Sequence, residues 1–246
     1  MIQNYKEILT FLLLGHILGD FYFQSEFMAL KKDEDIKWVI YHSIVYGIVI
    51  LLFTKMISTS FNNRYILILI VSHFVIDTIK YFVIRKHIIE KKKNYIFSID
   101  QILHIAILMI VSYLAIKSNG VYRYNSLILD ILNIMGISIS IALSIILKIL
   151  LIHKPVNIFI VSVMKSYKPI DKKEKNTIRA GRMIGTFERI IMLFFLSIQQ
   201  YSSIGLVLTA KSIARYNKIS EDQIFAEYYL LGTLLSTICV LLISIV

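Results

Sequence analysis

The sequence predicts an all-α, polytopic transmembrane helix bundle of six or seven spans, with its N-terminus outside. Three observations carry this reading. Of 246 residues, 57% are hydrophobic, and only two are proline and nine glycine. Apolar runs of about twenty residues recur along the chain, the length at which an α-helix crosses a hydrocarbon core. The runs are continuous rather than alternating in period two, so of the two backbones a bilayer admits, helix and closed barrel, helix is indicated.

Run length places spans at 8–29, 37–57, 65–84, 96–117 and 127–152, giving an N-terminal five-span bundle over residues 1–152. Residues 153–181 form a basic linker. Within it, 156–164 is short and apolar after Pro155 and suits an interfacial helix, and 165–180, KSYKPIDKKEKNTIRA, has the composition of exposed chain. Residues 182–246 form a C-terminal membrane segment, with a sixth span at 182–201 and a short helix at 204–216 that spans, re-enters or lies at the interface. The last span is 224–245. Residues 1–7 carry one lysine and no small-residue cleavage site follows, so the first run does not read as a cleavable signal. The lone cysteine, Cys239, excludes an intramolecular disulfide and a cysteine-based metal site.

The net charge is +11. In a soluble chain that would point to nucleic acid. Here the basic residues fall between apolar runs, with no basic face interleaved with aromatics, so they read as topology determinants and contacts for membrane lipid, with no nucleic-acid partner. Seventeen Lys and Arg lie in the first, third and fifth loops and five in the opposite segments. The positive-inside rule then puts the odd loops in the cytoplasm.

Ionisable groups at membrane depth are costly and are functional suspects by default. Span one holds His16 and Asp20, span three His73 and Asp77, and span four Asp100 and His104. Each pair is spaced i,i+4, so both members share one helix face. Span two adds His42; the other two histidines, His87 and His153, lie at span ends. By the topology above, all seven groups meet in the cytoplasmic half of one bundle.

Imidazole and carboxylate are ligands for zinc first, and for manganese or iron. Seven candidates exceed one tetrahedral ion and suit two ions with a bridging Asp, a kind of site that helical bundles build from inward-facing groups. On this reading His16, Asp20, His42, His73, Asp77, Asp100 and His104 are metal ligands. One of Asp20, Asp77 and Asp100 stays free as a catalytic base for metal-bound water. The function expected is a membrane-embedded, metal-dependent hydrolase near the cytoplasmic leaflet. Two alternatives use the same residues: a transporter or channel for a divalent cation or proton, and a non-catalytic scaffold or regulatory protein in which each Asp merely hydrogen-bonds a nearby His. Gln24, Ser25 and Gln101 are candidates to orient the ligating groups.

The runs LLLGHILGDFYFQ (12–24), SHFVID (72–77) and DQILH (100–104) resemble the bacterial membrane proteins grouped as DUF3307, over residues 8–117. The stretches GRMIGTFER (181–189), AKSIARY (210–216) and EYYLLGTLLS (227–236) are similar to the C-terminal half of longer members. The resemblance implies a multi-pass protein of a bacterial cytoplasmic (inner) membrane and carries no activity with it. Inner-membrane metal-dependent hydrolases also array His and Asp on their spans, but their Arg-Gly-x-Thr-His-Ser type motif is absent from this sequence, so that likeness is an analogy.

A second polar group lies in the C-terminal half. Arg182, Glu188, Arg189 and Lys211 are candidates for binding an anionic lipid or phosphoester substrate, with Arg215 and Glu227 nearby. The plainer reading is snorkelling together with Glu–Arg pairing. Gly181, Gly185, Gly205 and Gly232 read as close-packing positions.

Overall fold

The computed structural model describes residues 2–85, 93–118, 123–167 and 177–245, and among these it contains helices and short connections with no strand. His87, Asn119 and most of the basic 165–180 segment lie outside the described residues. The chain divides into two compact units, residues 1–147 and 148–246.

In the first unit α1 (Ile2–Ile17) runs into a π-helical turn at Leu18–Tyr22, so the span expected over 8–29 is not one regular helix. The turn is closed by the Phe23 N–H donating to Leu18 O at 2.8 Å, a five-residue reach. Next comes α2 (Glu26–Lys31), where the Ser25 hydroxyl accepts from Met28 N; Ser25 is therefore a helix cap. Asp35 likewise caps α3 (Ile36–Ile57). After α4 (Asn63–Arg85) and α5 (Lys93–Lys117) come α6 (Ser126–Ile134) and α7 (Ile139–His153), whose residues from Lys148 on belong to the second unit.

The single span expected over 127–152 is thus two helices. Gly136 takes φ +68°, a left-handed conformation that costs glycine nothing, and Ile137 N–H reaches back to Leu132 O at 3.0 Å. That is a glycine-terminated helix end, which composition alone did not reveal in an otherwise apolar run.

Helices α1, α3, α4 and α5 close a ring: α1 packs on α3, α3 on α4, α4 on α5, and α5 back on α1. Two glycines set how near α1 approaches α3. A Cβ at Gly15 would stand 2.5 Å from Ile50 Cδ1, and one at Gly19 would stand 2.6 Å from the ring of Tyr46. Small residues four apart on a membrane helix permit this approach.

The second unit holds α8 (Pro155–Met164), α9 (Thr177–Ser197), α10 (Tyr201–Ile213), α11 (Tyr216–Glu221) and α12 (Gln223–Ile245). Pro155 sits in the first turn of α8, where its missing N–H breaks no helical bond. Helix α12 packs on α8, α9 and α11. Ile152, Val156, Cys239 and Ile243 form a core between them.

Among the described residues, five helical stretches are long and apolar enough to cross a membrane: α3, α4, the 96–117 stretch of α5, the α7–α8 run Ile139–Met164, and α12. The 16-residue α1 and the charged α9 are not among them. The side chains are distributed as a bilayer demands. On α5, Ile102 is 65% exposed, whereas Asp100 and His104 on either side are 4% exposed. At this level of α5 the ionisable groups face in and an isoleucine faces out, as a lipid-facing helix requires.

Candidate metal centre

The ring of four helices brings together all seven groups singled out in its sequence. His16 ends α1, and Asp20 sits on the π turn, whose extra residue per turn re-aims the side chains that follow it. His42 comes from α3, His73 and Asp77 from α4, and Asp100 and His104 from α5. All seven are buried.

Asp20 is the hub. Its Oδ1 lies 3.0 Å from His42 Nε2 and 3.5 Å from His73 Nε2, and its Oδ2 lies 3.9 Å from His16 Nε2 and accepts from Gln101 Nε2 at 2.9 Å. His73 is central among the rings, with centroids 5.2 Å from His42, 4.3 Å from His104 and 5.9 Å from His16. Asp77 Oδ2 lies 3.6 Å from His42 Nε2 and 3.7 Å from His73 Nδ1, and Asp100 Oδ1 lies 3.6 Å from His104 Nε2.

Two lysines enter the cluster. Lys32, itself buried, donates to Asp77 Oδ2 at 2.6 Å and to Gln24 Oε1 at 3.2 Å. Lys80 donates to Asp100 Oδ2 at 2.9 Å. Asp20 is the carboxylate of the three on which neither lysine's ammonium is bonded. Lys32 falls between the first two apolar runs of the sequence, and no helical spacing ties it to the cluster. Lys80 was legible, three residues after Asp77 on the same face. Tyr46, whose ring lies 3.6 Å from that of His73, walls the site.

The donor set fits a metal on two counts. Both ring nitrogens of His16 and of His73, with His42 Nδ1, His104 Nε2, Asp77 Oδ1 and Asp100 Oδ1, are buried and have no hydrogen-bond partner among the described residues. Buried polar atoms are ordinarily satisfied, so eight in one cluster call for a common polar guest. Spacing is the second count. Ligands about 2.1 Å from one tetrahedral ion stand about 3.4 Å apart, close to the 3.5–3.7 Å separations here. Three overlapping trios have donor atoms within 4.8 Å of one another: His16–Asp20–His73, His42–His73–Asp77 and Asp77–Asp100–His104. The first contains no lysine-bound carboxylate.

Of the four C-terminal candidates, two meet directly. Glu188 and Lys211 pair at 2.6 Å, half-buried. Arg189 points into its own unit, donating to Asn157 Oδ1 at 2.6 Å and Ser236 Oγ at 3.2 Å. Arg182 is exposed.

The fold and cluster define a class: a helical membrane bundle with an ionisable interior. Its N-terminal half places the chain in the family described as Protein of unknown function (DUF3307), whose model matches residues 8–129 and so takes in every residue of the cluster. No curated protein and no solved structure matches the chain.

Proposed function

We propose that the N-terminal unit is a membrane-embedded centre for one divalent transition ion, zinc before manganese or iron, and that its chemistry is hydrolytic. The carrying observation is the set of unpartnered donors around Asp20, contributed by four separate helices. His16, Asp20 and His73 would hold the ion, with His42 adjacent. The charge balance favours one ion over two. Lys32 and Lys80 already offset two of the three carboxylates, so a second divalent cation would leave the buried cluster strongly positive. A bound ion supplies a Lewis acid and an activated water. Asp77 and Asp100, each with one oxygen unpartnered, are the carboxylates available to accept a proton.

Metal content tests the centre. Protein purified without chelator and loaded with zinc should hold about one ion per chain, and Asp20→Asn should hold almost none while eluting as a monodisperse peak. Equal content in both would overturn the reading. Hydrolysis is tested separately, by mass spectrometry of mixed lipid vesicles for product that depends on both zinc and Asp20. A metal-replete protein releasing none would leave the centre and remove the hydrolase.

One observation favours a second reading, passage of a proton or cation. Lys80, Asp100, Gln101, Asp20 and His42 form a connected chain in steps of 2.9, 3.2, 2.9 and 3.0 Å. Proton uptake by metal-free proteoliposomes under a pH gradient, abolished by Asp20→Asn, would select it over hydrolysis.

A further inference from the structure

The second unit contains a cavity of about 820 Å³ that the metal centre does not use. It lies between α8, α9, the end of α10 and the α11–α12 corner. Its chemistry is divided. The mouth carries Lys211, Arg215 and Lys218 against one carboxylate, Glu188. The apolar floor is Met164 and Gly232, flanked by Ile160 and by the half-exposed Val161 and Ile184.

Depth makes the division meaningful. The mouth surrounds the start of α12, next to Glu221 and Asp222, where the span meets water, and the floor follows α12 inward to Thr233. Phe225, Tyr228 and Tyr229 line the boundary, the level at which aromatic side chains collect in membrane proteins. Lys218 Nζ stands 4.4 Å from the Phe225 ring centroid, and Lys211 Nζ stands 5.6 Å from that of Tyr229. Two polar atoms on the wall, Tyr229 Oη and Thr233 Oγ1, are buried without a hydrogen-bond partner among the described residues, and Thr233 as a whole is only 9% exposed. A Cβ at Gly232 would meet nothing closer than Met164 Cε at 3.7 Å, so the floor there is open for want of a side chain.

From this division we infer that the cavity is a binding site for an anionic phospholipid, its phosphate at Lys211, Arg215 and Lys218 and the upper part of an acyl chain along Ile160, Met164 and Gly232. The hydroxyls of Tyr229 and Thr233 serve the glycerol and ester oxygens between the two. A zwitterionic lipid shares the chain but brings a cationic group in beside Lys211, Arg215 and Lys218. A free phosphate ester shares the charge but leaves the apolar floor unfilled.

The test uses the full chain in nanodiscs of equal phosphatidylglycerol and phosphatidylcholine, re-extracted in mild detergent, with retained lipid counted by native mass spectrometry. The wild type should retain phosphatidylglycerol over phosphatidylcholine by about ten-fold, given a few-fold per basic group near a membrane surface. Lys211→Gln/Arg215→Gln/Lys218→Gln should abolish the preference. Thr233→Val, which keeps shape, and Gly232→Leu, which fills the floor, should each reduce retention of both lipids. Arg64→Gln/Lys117→Gln, exposed bases elsewhere, should change nothing. Equal retention of the two lipids by the wild type, or a preference that survives the triple variant, would overturn the inference. Complete displacement of bound lipid by millimolar glycerol 3-phosphate would replace it with a soluble phosphate-ester site.

Discussion

Asp77 and Glu188 each accept a lysine at 2.6 Å, from Lys32 in the first unit and Lys211 in the second, yet the two pairs do opposite things. The Lys32–Asp77 side chains are 8% and 1% exposed and sit among imidazoles whose nitrogens lack partners. The Lys211–Glu188 side chains are 21% and 14% exposed and edge a cavity with two further cations at its mouth. A buried ion pair costs more desolvation than it returns unless something else needs its charge, whereas a half-buried pair is cheap. The first pair therefore belongs to a site that balances charge in the interior. The second offsets one of the three cations that line the cavity.

The strongest way to break this comparison is to show that the interior cluster is indifferent to its own charges. His73→Ala removes the ring shared by two of the three donor trios. Metal per chain should drop from about one to below about a tenth, in line with the loss of a histidine ligand. Glu188→Gln and Lys211→Gln should leave metal content unchanged. A parallel fall in the C-terminal variants would mean that metal content reports general damage and not a site.

Lys32→Met probes the interior balance from the other side. It leaves Asp77 buried without its cation, so metal-free protein should lose about 3–5 kcal/mol of unfolding free energy in mixed micelles. Zinc should recover most of that loss and should bind the variant more tightly than the wild type, since one competing positive charge is gone. Destabilisation that zinc does not relieve would make Lys32–Asp77 a purely structural pair.

Gly19→Ala comes next in size. Its Cβ would be driven into the Tyr46 ring, which is 2% exposed and packs edge to face with His73, and overpacking of this kind costs about 1–3 kcal/mol. Gly15→Ala meets the end of Ile50 at 2.5 Å, which can rotate away, and the edge of Phe53 at 3.1 Å, and should cost less. Thermal midpoints of the two variants in detergent, with and without zinc, check the order. If Gly15→Ala were the worse, Tyr46 would not be the fixed wall of the site.

These residues also show how far the sequence could be read. The three His/Asp pairs were legible because helical spacing is local: His73 and Asp77 share a face whatever the rest of the fold does. Lys80 is equally local, three residues after Asp77 on the same helix. Lys32 was not legible. Its neighbour Lys31 pairs with Glu34 at 2.6 Å on the exposed side, and only the placement of α2 and the turn after it sends Lys32 inward. Gly136 divided an apolar run that hydropathy joined. In the second unit, charge content pointed to the right helices but not to the right side chains. Arg189 finds Asn157 on another helix, while Arg215 and Lys218 reach the cavity from a corner whose geometry no periodicity encodes.

The smallest expected effect separates the two units most sharply, because its two readouts move in opposite directions. Glu188→Gln keeps an acceptor for Lys211 but removes the charge. Loss of a half-buried ion pair with one hydrogen bond retained should cost about 1 kcal/mol or less of stability. At the same time the cavity mouth loses its carboxylate, so retention of phosphatidylglycerol over phosphatidylcholine should rise by about two- to five-fold. The matching change in the first unit, Asp77→Asn, has no such compensation: stability falls because Lys32 is left buried without a counter-charge, and metal binding falls because a negative charge beside the ion is lost. The comparison is therefore a cross of two variants against two readouts, unfolding in mixed micelles and ligand retention. Glu188→Gln raising retention while Asp77→Asn lowers metal content would establish the carboxylates as, respectively, a brake on and a support for binding. A fall in lipid preference for Glu188→Gln would instead make Glu188 part of the surface that the headgroup contacts, and the cavity would then select a lipid carrying a cationic or hydrogen-bond-donating headgroup.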